Sequence, residues 1–446
     1  MTTDSLRAGA VTGGDRTPPV PPRPVELPIE LPVEPAIEPP VRHSALRRMC
    51  GLDRAEFAER FWGRRPLVVE AADASGFSDL LDLAGVDELL SRRGLRTPFV
   101  RLARDGSVIG SAAFTAPGGV GAGIGDQVRD DKVADLFAGG ATIVLQALHR
   151  TWSPIIDFTA GLGAELGHPV QVNAYVTPPD GKGFGAHYDV HDVFVLQLAG
   201  TKQWTVHAPV HADPLGSQPW TDHADAVAAR ARDRPTLTAE LRPGDVMYLP
   251  RGWLHSATAG NEVSAHLTVG VHVVTRYLLV EGLVAALAAD PRLRAPLPPG
   301  LDLTDPEQLA PHLAVARDIV RETVGEVDAE VVAARVRRHV WEGGRLEPVR
   351  PVAAAQFARR LGPGDAVRLR YGLGHRLTGP GRHGSVVLEL PDRRIALPAT
   401  TAAAVRTLLT RDVCVVGELP GIDVADQVVL VRRLVREGVV VPASGA

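Results

Sequence analysis

Phe184-Gly185-Ala186-His187-Tyr188-Asp189-Val190-His191-Asp192-Val193-Phe194-Val195-Leu196-Gln197-Leu198 is the stretch from which the fold can be read. Its second half is apolar, rich in β-branched residues and without a helical period, which is the pattern of a buried strand. Extending that strand back through the first half puts His187 and Asp189 on one face, because side chains alternate across a strand. A further histidine, His255, follows after 65 intervening residues. It comes after the turn Arg242-Pro243-Gly244-Asp245 and the strand Val246-Met247-Tyr248-Leu249-Pro250, so it is expected just past a strand end. A β-barrel or double sheet would bring the two segments together around one metal.

Two histidines and one carboxylate suit a non-haem Fe(II) that keeps coordination positions open for substrate and O2, which points to an oxygenase. The spacing also admits Asp189 with His191 and His255, since His191 too stands two residues from Asp189. Imidazole suits zinc, nickel and copper as well, and a histidine–carboxylate network without a metal would use the same residue types. The sequence pattern alone leaves these alternatives open.

Further stretches sharpen the pattern: Asn173-Ala174-Tyr175-Val176-Thr177-Pro178-Pro179, Gly183-Phe184-Gly185-Ala186-His187-Tyr188-Asp189, Val193-Phe194-Val195-Leu196-Gln197, Gly200-Thr201-Lys202-Gln203-Trp204 and Tyr248-Leu249-Pro250-Arg251-Gly252-Trp253-Leu254-His255. In order and spacing they resemble the JmjC-type Fe(II)/2-oxoglutarate oxygenases of the ribosomal-oxygenase branch, the bacterial ribosomal protein hydroxylases, over roughly residues 44 to 275. The resemblance implies a mainly β fold with α elements: a double-stranded β-helix, the cupin or JmjC jelly roll, then a helical dimerisation region and a C-terminal winged-helix domain. It implies His187, Asp189 and His255 as catalytic residues and metal ligands. It also implies 2-oxoglutarate as cosubstrate, with Lys202 as a compact positive charge against its far carboxylate and Asn173, Tyr175 and Thr268 lining the pocket.

The activity implied by the same resemblance is hydroxylation of a ribosomal-protein side chain, arginine or histidine foremost, with O2 consumed and succinate and CO2 released. Demethylation of an N-methyl group would use the same chemistry, as would hydroxylation of a free amino acid or a peptide natural product. A non-enzymatic metal-binding cupin is the alternative outside enzymology.

Composition fits an intracellular enzyme of two or three domains, with 446 residues and an apolar fraction of 45%. No stretch approaches the roughly 20 apolar residues of a membrane span. The start, Met1-Thr2-Thr3-Asp4-Ser5-Leu6-Arg7-Ala8, lacks the apolar centre of a secretory signal. Cys50 and Cys414 are distant and outside any C-x-x-C arrangement, which argues against a disulfide framework or a thiolate zinc site and for a reducing cytoplasm. A net charge of −4 carries no nucleic-acid signal.

Along the chain, ten prolines between Pro18 and Pro40 mark residues 1–42 as a disordered arm of extended polyproline type. The oxygenase domain is expected at 43–275, with Asp53 and Glu56 as a helix cap ahead of Phe57 and Phe61. The glycine-rich run Gly118 to Gly125 matches neither phosphate-binding pattern and reads as a surface loop. In the helical region, 276–348, Leu279, Leu283 and Leu287 form an apolar stripe that the resemblance implies for a homodimer contact and that would equally serve packing against the barrel, with Thr304 and Glu307 a capping box and Asp328 a cap for the run from Val331 to Trp341. Residues 349–446 read as the winged-helix-like module: a helix from Ala353 to Leu361, a hairpin of Ser385–Leu390 with Arg394–Leu397, a helix from Val424 to Glu437 and a strand at 439–441. Its 351–446 segment holds 13 Arg against 8 acids, with no Lys and no basic run, which favours a scaffold role over DNA binding.

Overall fold

The computed structural model describes residues 44–71, 76–104, 106–181, 184–379 and 384–443. The proline-rich arm and Gly183 of the motif stretch lie outside the described residues. Ser44 caps α1 (Ala45–Cys50), and Asp53 caps α2 (Arg54–Arg60) by accepting from the Glu56 N–H. β1 (Leu67–Val69) and α3 (Leu83–Arg92) follow, then the paired strands β2 (Val100–Arg104) and β3 (Ser107–Ile109). β4 (Thr115–Ala116) and β5 (Gln127–Val128) bracket the glycine-rich loop. α4 (Asp130–Ala138), β6 (Thr142–Leu145), α5 (Leu148–Thr151) and α6 (Ser153–Leu166) lead into the strands that carry the site. These are β7 (Val170–Thr177), β8 (Asp192–Ala199), β9 (Lys202–His207), β10 (Leu237–Leu241), β11 (Val246–Leu249), β12 (Leu254–Ala259) and β13 (Ser264–Val271), with α7 (Ala224–Arg230) in the connection from β9 to β10.

Apart from the β4–β5 pair, these strands form two antiparallel sheets, one of eight strands in the order β1-β11-β8-β13-β7-β6-β2-β3 and one of three in the order β10-β9-β12. Val193 and Val195 of β8 and Met247 and Leu249 of β11 pack against Trp204, Val206 and Leu241 of the small sheet. The alternate residues Phe194, Leu196, Val246 and Tyr248 join Leu46, Met49, Phe57, Leu89, Ile155 and Leu162 from the helices covering the other face. β8 is therefore buried on both faces, which is why it reads as a continuous apolar run and not as an alternation. This is a mixed α/β fold with a large antiparallel sheet, the jelly roll expected, followed by a helical region.

One expectation about this part needs correction and another needs extending. His187 and Asp189 do not stand on a strand: β8 begins at Asp192, and His187 contributes one isolated bridge to His255. His255 does follow the end of β11, as expected, but it also lies inside a further strand, β12, that was not foreseen, because Arg251 and Gly252 turn the chain straight into it. The helix α1, ahead of the Asp53 cap, was not foreseen.

The helical region consists of α8 (Arg276–Leu287), α9 (Pro306–Val324) and α10 (Ala329–Gly343). Asp305, and not Thr304, caps α9, accepting from the Glu307 N–H, while Thr304 bonds to Asp302. Asp328 caps α10 as expected. The stripe on α8 is split: Leu287 is buried, Leu283 half-buried and Leu279 exposed. Leu278 and Gly282 face inward, and a Cβ on Gly282 would stand 3.0 Å from Val332 Cγ1, so the glycine permits the close approach of α8 to α10. The apolar residues left in solvent on α8 are Tyr277, Leu279, Val280 and Val284.

The C-terminal residues gather a core of their own, including Phe357, Val367, Leu388, Ile395, Val405, Leu408, Val431 and Leu434. Its elements are α11 (Pro351–Arg360), β14 (Ala366–Leu369), β15 (Arg376–Thr378), β16 (Ser385–Glu389), β17 (Arg394–Pro398), α12 (Ala402–Thr410), β18 (Cys414–Val415), α13 (Val424–Arg436) and β19 (Val440–Pro442). β16 and β17 pair as the expected hairpin, with β15 as a third strand. β14, β18 and α12 were not foreseen.

One buried carboxylate ties the two halves of the prospective metal site together. Asp192, at the start of β8 and 0% exposed, accepts from the Tyr248 hydroxyl and, at 3.0 Å, from the Arg251 N–H, with the Arg251 guanidinium 3.8 Å away. Asp192→Ala would leave these buried donors without an acceptor, at a cost of about 3 kcal/mol. The expected result is a lower thermal unfolding midpoint together with weaker metal retention. An unchanged midpoint would show that Asp192 does not hold the segment.

Candidate metal and cosubstrate site

Backbone pairing sets the geometry. The His255 N–H donates to the His187 carbonyl at 2.8 Å, the His187 N–H returns a bond to the His255 carbonyl at 3.2 Å, and the Gly252 N–H donates to the Asp189 carbonyl at 3.0 Å. In consequence one ligand-type atom from each of His187, Asp189 and His255 lies within 4.8 Å of the others. His255 Nε2 is 3.6 Å from Asp189 Oδ2, and the two imidazole rings are 4.5 Å apart.

The donor set fits a metal. His187 Nδ1 donates to the Gly185 carbonyl at 2.8 Å, and His255 Nδ1 to the Trp253 carbonyl at 3.1 Å. A carbonyl can only accept, so both protons sit on Nδ1 and both Nε2 atoms keep a free lone pair. Burial, helped by the neighbouring His187, pushes the His255 pKa down to about 4, leaving a neutral ligand. At Asp189 burial acts to raise the pKa, but His255, His191 and His187 outweigh it and hold the carboxyl below its ordinary value. His191 is turned elsewhere: its Nε2 is 3.3 Å from Gln171 Nε2 and its ring is 5.2 Å from that of His272. Among the described residues, His187, Asp189 and His255 form the one group with metal-binding spacing.

Lys202 opens β9 on the small sheet and is 3% exposed. Its Nζ donates to Thr177 Oγ1 at 3.1 Å, and that hydroxyl is 3.3 Å from Thr142 Oγ1. Burial lowers its pKa to about 8, so the ammonium stands in a dry, polar recess that would gain from a counter-charge. Across from it, on the large sheet, Asn173 pairs with Thr268 and Tyr175 with His266. Asn173 also has a structural task, since its Oδ1 accepts from the N–H of Ala147, a residue with φ +55°.

Several residues of this cavity were missed. His266 is buried, stacks on Tyr175 at 5.1 Å, meets Trp204 edge-on at 5.5 Å and leaves its Nδ1 without a partner. Period-two alternation from Thr268 could have found it. Phe184 bridges Tyr175 and His187 with ring separations of 6.4 and 6.2 Å, and Trp220, 37% exposed, lies 6.5 Å from the His187 ring. Arg101 of β2, about which the motif stretches say nothing, lies over the Phe184 ring.

Residues 160–278 match the family model of the JmjC domain. Ribosomal oxygenase 1 of Gallus gallus is 29% identical over 250 residues, which is 54% of this chain and 40% of that protein. The bifunctional lysine-specific demethylase and histidyl-hydroxylase NO66 of Drosophila persimilis is 37% identical over 112 residues, 24% of this chain and 15% of that protein. The chain thus spans less than half the length of these curated relatives. Among solved structures, the Escherichia coli ribosomal oxygenase YcfD superposes with a TM-score of 0.51 at 18% identity, covering 88% of this chain and 98% of that one, and a structure of YcfD in complex with cobalt and 2-oxoglutarate gives the same score. At that identity the likeness is one of fold. The chain is thus similar, through residues 160–278 that match the JmjC domain, to the ribosomal oxygenases.

Proposed function

We propose that this protein is an Fe(II)- and 2-oxoglutarate-dependent hydroxylase of a ribosomal-protein side chain, with arginine and histidine the first residues to test. The observation that carries the reading is the pairing of two lone-pair-bearing imidazoles and one carboxylate with a buried, uncompensated lysine. His187, Asp189 and His255 would hold the iron. Bound there, iron would supply O2 activation coupled to conversion of 2-oxoglutarate into succinate and CO2, with one oxygen atom delivered to an unactivated carbon. Lys202 would neutralise the far carboxylate of the cosubstrate, and Asn173, Tyr175 and Thr268 would line its path. Relatives that carry both demethylase and hydroxylase in their names support demethylation of N-methyl-lysine as a second reading of the same chemistry.

For the whole chain we propose the arrangement of arm 1–42, oxygenase domain 43–275, helical dimerisation region 276–348 and winged-helix-like module 349–446 acting as a scaffold. A cytoplasmic location accords with two free, buried cysteines. No helix of the described residues is long and apolar enough to cross a membrane. The exposed face of α8, with Tyr277 and Val284 at 51% and 59% exposure, would be the two-fold contact of a homodimer.

Two experiments test these assignments. His187→Ala or Asp189→Ala should abolish Fe(II)-dependent 2-oxoglutarate turnover, His191→Ala should keep most of it, and Lys202→Ala should raise the 2-oxoglutarate requirement more than about tenfold, in line with the cost of stranding one partner of a buried charge pair. Activity in His187→Ala with loss in His191→Ala would mean that the other triplet holds the metal. In sedimentation, the wild type should run as a dimer at micromolar concentration and Val284→Glu as a monomer. A monomeric wild type would remove the dimer.

A further inference from the structure

The inner face of the large sheet carries one cation that this reading leaves unused. Arg101 on β2 stands in register with Val144, Tyr175, His266 and Gln197 across four neighbouring strands, so its side chain leaves the sheet on the same side as the pocket residues. Its guanidinium carbon lies 5.6 Å above the Phe184 ring, which in turn is 6.2 Å from the His187 ring. It also neighbours the Tyr175 hydroxyl. Its Nε–H is buried without an acceptor, and none of the ion pairs among the described residues includes it.

A guanidinium presents donors in a rigid planar fork, and although the Tyr175 hydroxyl is within its reach, the buried Nε–H without an acceptor among the described residues is costly. Such an arrangement suits an acceptor that arrives with a ligand. Lys202 is a separate site, on the opposite sheet and bonded to Thr177. The anion of the triad, Asp189, would be engaged by the metal. Neither His255 nor His266 offers negative charge, since an imidazole is neutral or cationic.

We propose that Arg101 is a specificity-determining residue: it donates to an acceptor, neutral or anionic, on the side chain presented to the triad, and it repels a cationic one. The inference rests on the reading that the triad holds a metal and that a side chain enters beside it. It sets imidazole, carboxamide or carboxylate groups above the guanidinium of arginine and the ammonium of N-methyl-lysine. Discrimination of this kind comes from the unfavourable juxtaposition of like charges as much as from the new hydrogen bond.

Binding can be read without turnover on the full chain loaded with Mn(II) and 2-oxoglutarate in the absence of O2. Relaxation of bulk water protons reports whether the metal is held. Paramagnetic broadening of N-acetyl-histidinamide, N-acetyl-aspartamide, N-acetyl-argininamide and N-acetyl-dimethyl-lysinamide then reports which side chain comes close to it. In the wild type the histidine and aspartate probes should bind at least about tenfold more tightly than the two cationic probes, as expected for a like-charge contact in a partly buried site. Arg101→Glu should invert that order, and Arg101→Gln, which keeps a donor but removes the charge, should bring all four within about threefold by the same reasoning. Equal binding by the arginine probe in the wild type would overturn the proposal, and so would an order unchanged in both variants or the absence of broadening with metal held. If Mn(II) fails to alter water relaxation, the metal assignment itself fails and this inference falls with it.

Discussion

The site depends on one short piece of backbone pairing, the reciprocal bonds between His187 and His255. These two residues belong to different parts of the double sheet, one ahead of β8 and the other in β12. Without the bridge neither segment would be held at the distance a shared metal needs. The bridge is in turn secured by Asp192, which bonds to the turn residue Arg251 and to Tyr248 on β11. Tyr248 reaches across to the Gly63 N–H at 2.9 Å, so the helical layer outside the large sheet is coupled to the site within it. The jelly roll thereby supplies what an open metal site requires: ligands fixed by the scaffold, with their outer ring nitrogens already occupied by carbonyls.

The cavity is unbalanced in charge. Among the described residues it holds two cations without carboxylate partners, Lys202 and Arg101, against one carboxylate, Asp189, and burial favours the neutral form of His255 and His266. A divalent metal at the triad and a dicarboxylate against Lys202, as proposed, would balance these charges.

Much of this was legible in the sequence, for identifiable reasons. β8 announced itself because a strand buried on both faces has to be apolar throughout, whereas Lys202 came only through the family resemblance, since a strand lysine taken alone usually faces solvent. The three ligand-type residues were readable as chemistry but not as backbone. The segment of His187 and Asp189 runs as irregular chain with a single bridge, and alternation cannot be extrapolated through residues that make no ladder, while His255 stands inside β12. Thr304 was mistaken for the cap of α9 because Asp305 stands next to it, and a carboxylate adjoining the first turn competes well for the same N–H groups. The stripe on α8 was misjudged because four-residue spacing marks a helix face without naming what covers it, and α10 covers the Leu278 side. Arg101 and His266 were invisible as site residues because pairing across the sheet brings them to the cavity, and nothing in their local sequence records that.

The most direct test is mass spectrometry of ribosomal proteins from cells with and without the gene. A gain of one oxygen mass on a single side chain, present with the intact gene and absent when Asp189→Ala replaces it, is the expected result. Given Arg101, that side chain should carry an acceptor and not a positive charge. Loss of methyl groups from lysine, or ribosomal proteins of identical mass in both strains, would contradict the assignment.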